Sequence, residues 1–142
     1  MATATTNYAG PSSEATANKT DRVTSILQWT YGLVPIVAGA DKFMHILTDW
    51  NQYLAPIVTD ILPFTPQTFM SIVGVIEIIA GIIVFVKPRL GSLIVAGWLV
   101  GIAISLLLTG QYFDIAVRDI VMAIGAFCLF LLLDNNTHNV KK

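Results

Sequence analysis

The chain contains little charge, since only 12% of its 142 residues are Asp, Glu, Lys or Arg, against about 25% in soluble domains. Its net charge is −1, so it lacks the basic surface that nucleic-acid binding requires. It also lacks a glycine-rich phosphate loop and the His and Cys spacing of a zinc site. We therefore predict no nucleic-acid partner and no metal site.

Cysteine is almost absent. Cys128 is the single cysteine, and it lies in an apolar run without a C-x-x-C partner. A lone thiol cannot run a dithiol–disulfide cycle within one chain. We therefore interpret Cys128 as a small apolar packing residue.

Apolar residues are abundant, at 55% of the chain, and they are concentrated in four runs. A helix needs about 20 apolar residues to cross the hydrocarbon of a bilayer. The runs are close to that length, so we predict an all-α transmembrane four-helix bundle. Its spans cover residues 23–40, 69–86, 90–109 and 115–133.

Polar segments flank and interrupt this bundle. Residues 1–21 are rich in Ala, Thr, Ser and Asn and show no apolar periodicity, which predicts a disordered tail before the transmembrane domain of residues 22–133. Residues 134–142 form a second polar tail. The long connection 41–68 has no assigned role. Its segment 53–62 fits either a short helix at the membrane interface or an extended loop.

Charge is distributed unequally between the two ends of the predicted bundle. Four antiparallel spans place one group of cations together on one side: Lys19, Arg22, Lys87, Arg89, Lys141 and Lys142. The opposite connections hold Asp49, Asp60 and Asp114, with Lys42 as the main cation. The positive-inside rule then predicts that both termini are cytoplasmic.

One alternative concerns the first span. Residues 38–40 read Ala-Gly-Ala after an apolar run, as in the A-x-A site at which a signal peptide is cleaved. Cleavage there would leave three spans. The long and mostly uncharged region before the run favours a retained first span.

Glu77 is the most informative residue, because it lies near the middle of an otherwise uncharged span. An ionisable group at that depth usually faces protein or water and is a candidate functional residue. Gly74, Ala80 and Gly81 share its helix face, and a face of small residues packs against another helix. We predict that Glu77 points into the bundle, in either a functional or a purely structural role.

Further ionisable residues lie near the end of the predicted bundle that is opposite the predicted cytoplasmic termini: Asp41, Lys42, His45, Arg118 and Asp119. We predict that Arg118 pairs with Asp41 and that Lys42 or Arg118 pairs with Glu77. Anchoring at the lipid headgroups, or a surface position for the histidine, is the alternative for these residues. No nucleophile–base pair is recognisable, so no catalytic residue is assigned.

The third span carries Gly97 and Gly101 at the spacing that lets two helices approach closely. This pattern fits packing inside the bundle as well as a homo-oligomer. Trp98, in the same span, is interpreted as an interface anchor or a lipid-facing packing residue.

Two short motifs resemble a known family. Gly39-Ala40-Asp41-Lys42-Phe43 is similar to the G-x-D-K-[FL] ending of the first span in the DoxX-like membrane family, and Arg118-Asp119 to its "RD" opening of the last span. The resemblance covers most of residues 22–133. It implies a four-helix transmembrane bundle, a retained first span, and functional importance for Asp41, Lys42, Glu77, Arg118 and Asp119.

Members of this family have been tied to thiosulfate–quinone oxidoreduction, to thiol and oxidative stress, and to the maturation of redox proteins. The resemblance thus implies a redox association, although the missing cysteine pair departs from self-contained thiol chemistry. The location that we expect is a bacterial inner membrane.

Three functions follow, in order of preference. The first is an accessory subunit of a membrane complex, linked to redox chemistry, in which Glu77→Gln has little effect. The second is a quinone- or small-molecule-linked redox protein that depends on Glu77 and Arg118. The third is an oligomeric carrier or proton pathway. No motif encodes a cofactor, and we expect membrane-protein partners or a homo-oligomer and no enzyme activity of the chain alone.

Overall fold

Five α-helices form the part of the protein that the computed structural model describes, which comprises residues 11–61, 63 and 65–139. No strand occurs among these residues. The helices are α1 (Pro11–Met44), α2 (Pro56–Ile61), α3 (Pro66–Val86), α4 (Pro88–Leu108) and α5 (Phe113–Asn139), with a 3₁₀ turn at Trp50–Tyr53. Four of them, α1, α3, α4 and α5, are long and apolar enough to cross a membrane. The predicted all-α four-helix bundle is confirmed.

Proline and threonine set the beginnings of the central helices. Pro66 and Pro88 occupy the first turns of α3 and α4, where a missing N–H costs nothing. The Thr65 hydroxyl caps α3 by accepting a hydrogen bond from the Thr68 N–H at 3.3 Å. Lys87 alone separates α3 from α4, so these two helices are antiparallel neighbours.

The predicted disordered tail is wrong for residues 11–21, which are helical; residues 1–10 lie outside the described part. Once a span has nucleated a helix, each added residue gains a backbone hydrogen bond at low entropic cost. The Thr20 and Thr24 hydroxyls donate to carbonyls four residues earlier and do not interrupt the helix. The same propagation extends α5 through residues 134–139, and residues 140–142 are not described.

The connection between α1 and α3 contains a short helix, α2, within the segment for which either a helix or a loop was predicted. The 3₁₀ turn precedes it and is capped by the Asp49 carboxylate, which accepts a hydrogen bond from the Asn51 N–H at 3.1 Å. Asn51 also donates to the Gln67 side chain at 3.0 Å. The connection is therefore tied to the first turn of α3.

The bundle consists of two tight helix pairs, α1 with α3 and α4 with α5, joined mainly where α3 meets α4. Glycines allow the first pair to touch backbone to backbone. A Cβ placed on Gly74 would lie 2.7 Å from the Gly39 carbonyl oxygen, and one on Gly81 would lie 2.5 Å from that of Gly32. Gly74 and Gly81 thus pack against another helix, as predicted.

Gly97 and Gly101 behave differently. A Cβ placed on either glycine would meet no atom within 4 Å, and both residues are exposed. Of the two alternatives for this pattern, packing inside the bundle is therefore wrong, and a homo-oligomer stays a prediction. The two glycines lie on the outer face of α4, because the buried face of that helix is occupied by Ser92, Val95, Ala96, Ala103 and Leu106.

Small and aliphatic side chains fill the space between the four long helices. The core cluster comprises Tyr31, Ala80, Val84, Val95, Ala96, Ala126 and Leu129. Large apolar side chains on all four helices point away from this core, among them Ile26, Ile79, Ile104 and Val121. An apolar exterior over a small-residue interior is the arrangement that a lipid environment permits, since lipid is as apolar as leucine.

Candidate functional site: a buried ion-pair cluster

The deepest polar contact joins α1 to α3. The Lys42 Nζ lies 2.6 Å from the Glu77 Oε2, and the two side chains are only 4% and 7% exposed. Lys42 belongs to the last turn of α1, and Glu77 lies on the buried face of α3 with Gly74 and Gly81. The predictions that Glu77 points inward and that Lys42 is one of its partners are confirmed.

Trp50 covers this ion pair from the connection between α1 and α3. The Lys42 Nζ lies 3.8 Å from the centre of the Trp50 ring, within the range of a cation–π interaction. The Trp50 indole N–H donates to the Asp41 Oδ2 at 2.7 Å. The ammonium is therefore held between a carboxylate on one side and an aromatic face on the other.

Asp41 fixes the turn that brings Trp50 back over the helix. Its Oδ1 accepts hydrogen bonds from the Ile46 and Leu47 N–H groups at 2.9 and 3.0 Å. His45 ends α1 with a left-handed backbone, φ 55°, and its N–H donates to the Asp41 carbonyl at 2.7 Å. Both oxygens of the Asp41 carboxylate are thus occupied by the chain that follows it.

Two predictions for this region are wrong. Arg118 pairs not with Asp41 but with its neighbour Asp119, at 3.2 Å. Asp41 caps its own turn, and the Arg118 side chain is 62% exposed and extends away from the bundle. The exposed His45 ends a helix and makes no described side-chain contact, so it does not belong to the polar cluster.

Asp119 adds a third carboxylate from α5. It is buried, with an exposed fraction of 4%, and it interacts electrostatically with Lys42 as well as with Arg118. Arg118 bonds to its Oδ1, and its Oδ2 accepts no hydrogen bond from the described residues. We call Asp41, Lys42, Glu77 and Asp119 the ion-pair cluster; it contains three buried carboxylates and one buried ammonium.

Trp98 extends the cluster onto α4. Its indole Nε1 lies 3.5 Å from the Glu77 Oε1, at the outer limit of a hydrogen bond. Trp98 is half-buried, so the interpretation of Trp98 as a lipid-facing residue or interface anchor omitted its contact with Glu77. The sequence held the necessary signal, because Glu77 and Trp98 lie ten and eleven residues from Lys87 on opposite sides of the turn, and hence at equal depth.

The connection also contacts the turn between α4 and α5. The rings of Tyr53 and Tyr112 meet edge to face with centroids 4.9 Å apart, and Tyr53 makes a similar contact with Trp50. This aromatic group lies over the end of the bundle that holds the ion-pair cluster. No periodicity in the sequence places Trp50 there, because an irregular connection leaves no regular pattern.

Two surface grooves lie away from this cluster. The structure has one groove beside Lys87 and another beside Arg22, and neither is lined by a residue of the ion-pair cluster. Among the described residues, no group of three His, Cys, Asp or Glu side chains is arranged to hold a metal ion. Chemically, the Lys42–Glu77 pair of this cluster can fix the position of α1 relative to α3.

The fold and the cluster define an integral membrane four-helix bundle with a buried ion pair. The chain matches no family model, no curated protein and no solved structure. The resemblance to the DoxX-like family therefore remains a proposal.

Proposed function

We propose that the chain is an accessory subunit of a membrane complex, in which the ion-pair cluster is a structural joint between helices. One observation carries this proposal. The Lys42 ammonium is enclosed between the Glu77 carboxylate and the Trp50 ring, so its charge is satisfied within the chain. Because the Lys42 ammonium already interacts with a carboxylate and an aromatic ring, we infer that it does not bind a substrate.

A buried ion pair of this kind specifies geometry more than it adds stability. Desolvation of the two charges offsets most of their attraction, and an apolar pair of similar volume is often as stable. Removal of one partner alone is costly, because the other charge stays buried. Glu77→Gln is therefore expected to be disruptive even for an accessory subunit, which revises the expectation of little effect.

The cellular context belongs to the same proposal. The resemblance around Asp41-Lys42 and Arg118-Asp119 supports a redox-linked complex in a bacterial inner membrane. The cations Lys19, Arg22, Lys87 and Arg89 lie at one end of the bundle and support cytoplasmic termini. The apolar faces of the four spans would then contact lipid and partner subunits.

The test asks whether the chain assembles with partner subunits, with and without the buried charges of the ion pair. In Lys42→Met/Glu77→Leu both charges are replaced by apolar side chains of similar size. We expect native mass spectrometry of the untagged chain, extracted from its own membrane in mild detergent, to show the same stoichiometric complex for wild type and double variant. Lone monomers or homo-oligomers of the wild-type chain would contradict the accessory role.

A second candidate rests on the charge balance of the cluster. The cluster contains three buried carboxylates and one buried ammonium, and the Asp119 Oδ2 accepts no hydrogen bond from the described residues. The hydroxyl of a quinone head group in its reduced, quinol form, or of another small polar molecule, would donate a hydrogen bond to this oxygen. This candidate predicts a small-molecule mass on the isolated chain and a double variant that assembles normally but loses redox activity.

A further inference from the structure

A groove opens between α4 and α5 at the end of the bundle opposite the ion-pair cluster. Its volume is about 460 Å³, and it is lined by Lys87, Pro88, Arg89, Leu90, Leu93 and Phe130. Leu90 and Leu93 are 50% and 45% exposed on the outer surface of α4. The groove therefore lies on the outer surface of the bundle and not in its interior.

The two parts of this groove have different chemistry. The walls are apolar, formed by Leu90 and Leu93 on α4 and Phe130 on α5. The mouth carries Lys87, which lies between α3 and α4, and Arg89, which lies in the first turn of α4. A groove with apolar walls and two cations at its mouth complements a molecule with an aliphatic chain and an anionic head.

Of the two cations at the mouth, Arg89 has an acidic partner among the described residues and Lys87 has none. Arg89 pairs with Asp134, and its guanidinium carbon lies 5.6 Å from the centre of the Phe130 ring. The Arg89 side chain nevertheless remains 55% exposed. Lys87 is exposed and makes no ion pair with a described residue. One acid faces two bases, which leaves a net positive charge beside the groove.

We propose that this groove binds an anionic phospholipid, whose phosphate contacts Lys87 and Arg89 and whose acyl chain lies along Leu90, Leu93 and Phe130. Basic pockets between transmembrane helices on the cytoplasmic side commonly select anionic head groups. Here the depth of the cations at the helix ends matches the head-group layer, and the apolar walls lie deeper. This proposal is independent of the role of the ion-pair cluster.

The test is native mass spectrometry of the full chain in a neutral detergent, titrated with phosphatidylglycerol or with phosphatidylcholine of the same acyl chains. We expect the first phosphatidylglycerol to bind about tenfold more tightly to the wild-type chain. In Lys87→Gln/Arg89→Gln this preference should fall to about twofold or less. Equal binding of the two lipids by the wild-type chain would overturn the proposal.

A matched control removes two cations from the same end of the bundle without touching the groove. Lys19→Gln/Arg22→Gln should keep the full preference, because these residues lie on α1. Equal losses in both double variants would indicate a diffuse field and would overturn the site. Displacement of the lipid by soluble glycerol phosphate at equal concentration would also overturn it, since the acyl chain would then contribute nothing.

Asp134→Asn gives a test of opposite sign that does not depend on removing a cation. Loss of this carboxylate frees Arg89, so the preference for phosphatidylglycerol should rise above that of wild type. An unchanged or lower preference would contradict the assignment of Arg89 to the lipid phosphate.

Discussion

The two ends of the bundle each contain an inter-helix ion pair, but in very different surroundings. Lys42–Glu77 has side chains that are 4% and 7% exposed, whereas Arg89 and Asp134 are 55% and 28% exposed. The first pair is covered by Trp50 and the second borders an open groove. Similar ion pairs therefore lie in a covered region at one end of the molecule and at an open surface at the other end.

The comparison shows why burial decides what an ion pair does. In a buried pair, each charge depends on its partner, so the pair fixes the positions of both helices. In an exposed pair, head groups and water can replace either partner, and the pair contributes little to stability. We expect substitutions in the buried pair to lower the free energy of unfolding more than substitutions in the exposed pair.

The largest effect is expected for Glu77→Gln. The Lys42 ammonium would lose its ionic partner in a buried position, which typically costs about 3–5 kcal/mol in the free energy of unfolding. Reversible unfolding in mixed micelles measures this difference. Glu14→Gln, an exposed acid in the first turn of the same helix as Lys42, is the control and should cost no more than about 1 kcal/mol.

Lys42→Met/Glu77→Leu sharpens this result. Because no charge remains buried without a partner, the double variant should recover most of the lost stability, to within about 1–2 kcal/mol of wild type. A Glu77→Gln variant as stable as wild type would show that the pair does not hold α1 against α3.

The next effect concerns the packing around this pair. Gly74→Ala places a methyl group 2.7 Å from the Gly39 carbonyl oxygen, so α1 and α3 must separate. Overpacking of this kind costs about 1–3 kcal/mol. Gly97→Ala is the matched control, because its methyl group meets no atom within 4 Å. Helix propensity alone favours Ala over Gly in both helices, so a Gly74→Ala variant as stable as Gly97→Ala would contradict the close approach of α1 to α3.

A smaller effect is expected for Trp50, which covers the Lys42–Glu77 ion pair. Trp50→Leu removes the aromatic face over Lys42, and a desolvated cation–π interaction contributes up to about 2 kcal/mol. Trp50→Phe keeps an aromatic face and should lose less. Amide hydrogen exchange at Ile46 and Leu47 should speed up in both variants, because the indole N–H helps to hold the Asp41 carboxylate that they bond. Unchanged exchange would show that Trp50 does not stabilise the turn.

The sequence was sufficient to predict those features that depend on regular spacing. The four spans followed from apolar length, and the inward position of Glu77 followed from the small residues one turn away on the same face. Lys42 was identified as a partner because it ends the first span, at the depth toward which Glu77 leans.

Features that depend on irregular backbone could not be predicted in this way. Asp41 was expected to reach Arg118 on another helix, but it caps the turn at Ile46 and Leu47. The Asp41 carboxylate bonds to these nearby N–H groups and not to Arg118, because the local bonds require no long side chain to be ordered. The return of Trp50 over Lys42 depends on that turn and has no sequence signature. Gly97 and Gly101 have the pattern of packed glycines, yet which face of a helix turns inward is decided by its neighbours.

The smallest effect is expected at the open end. Arg89→Gln breaks the ion pair with Asp134, but because the Arg89 side chain is 55% exposed, the free energy of unfolding should change by no more than about 1 kcal/mol. The same unfolding assay in mixed micelles provides the measurement, with Lys19→Gln as the control for loss of one exposed cation. A loss in stability as large as that of Glu77→Gln would contradict this comparison, because the exposed pair would then also hold two helices together. A small loss in stability together with weaker binding of anionic lipid would assign the two ends different physical roles.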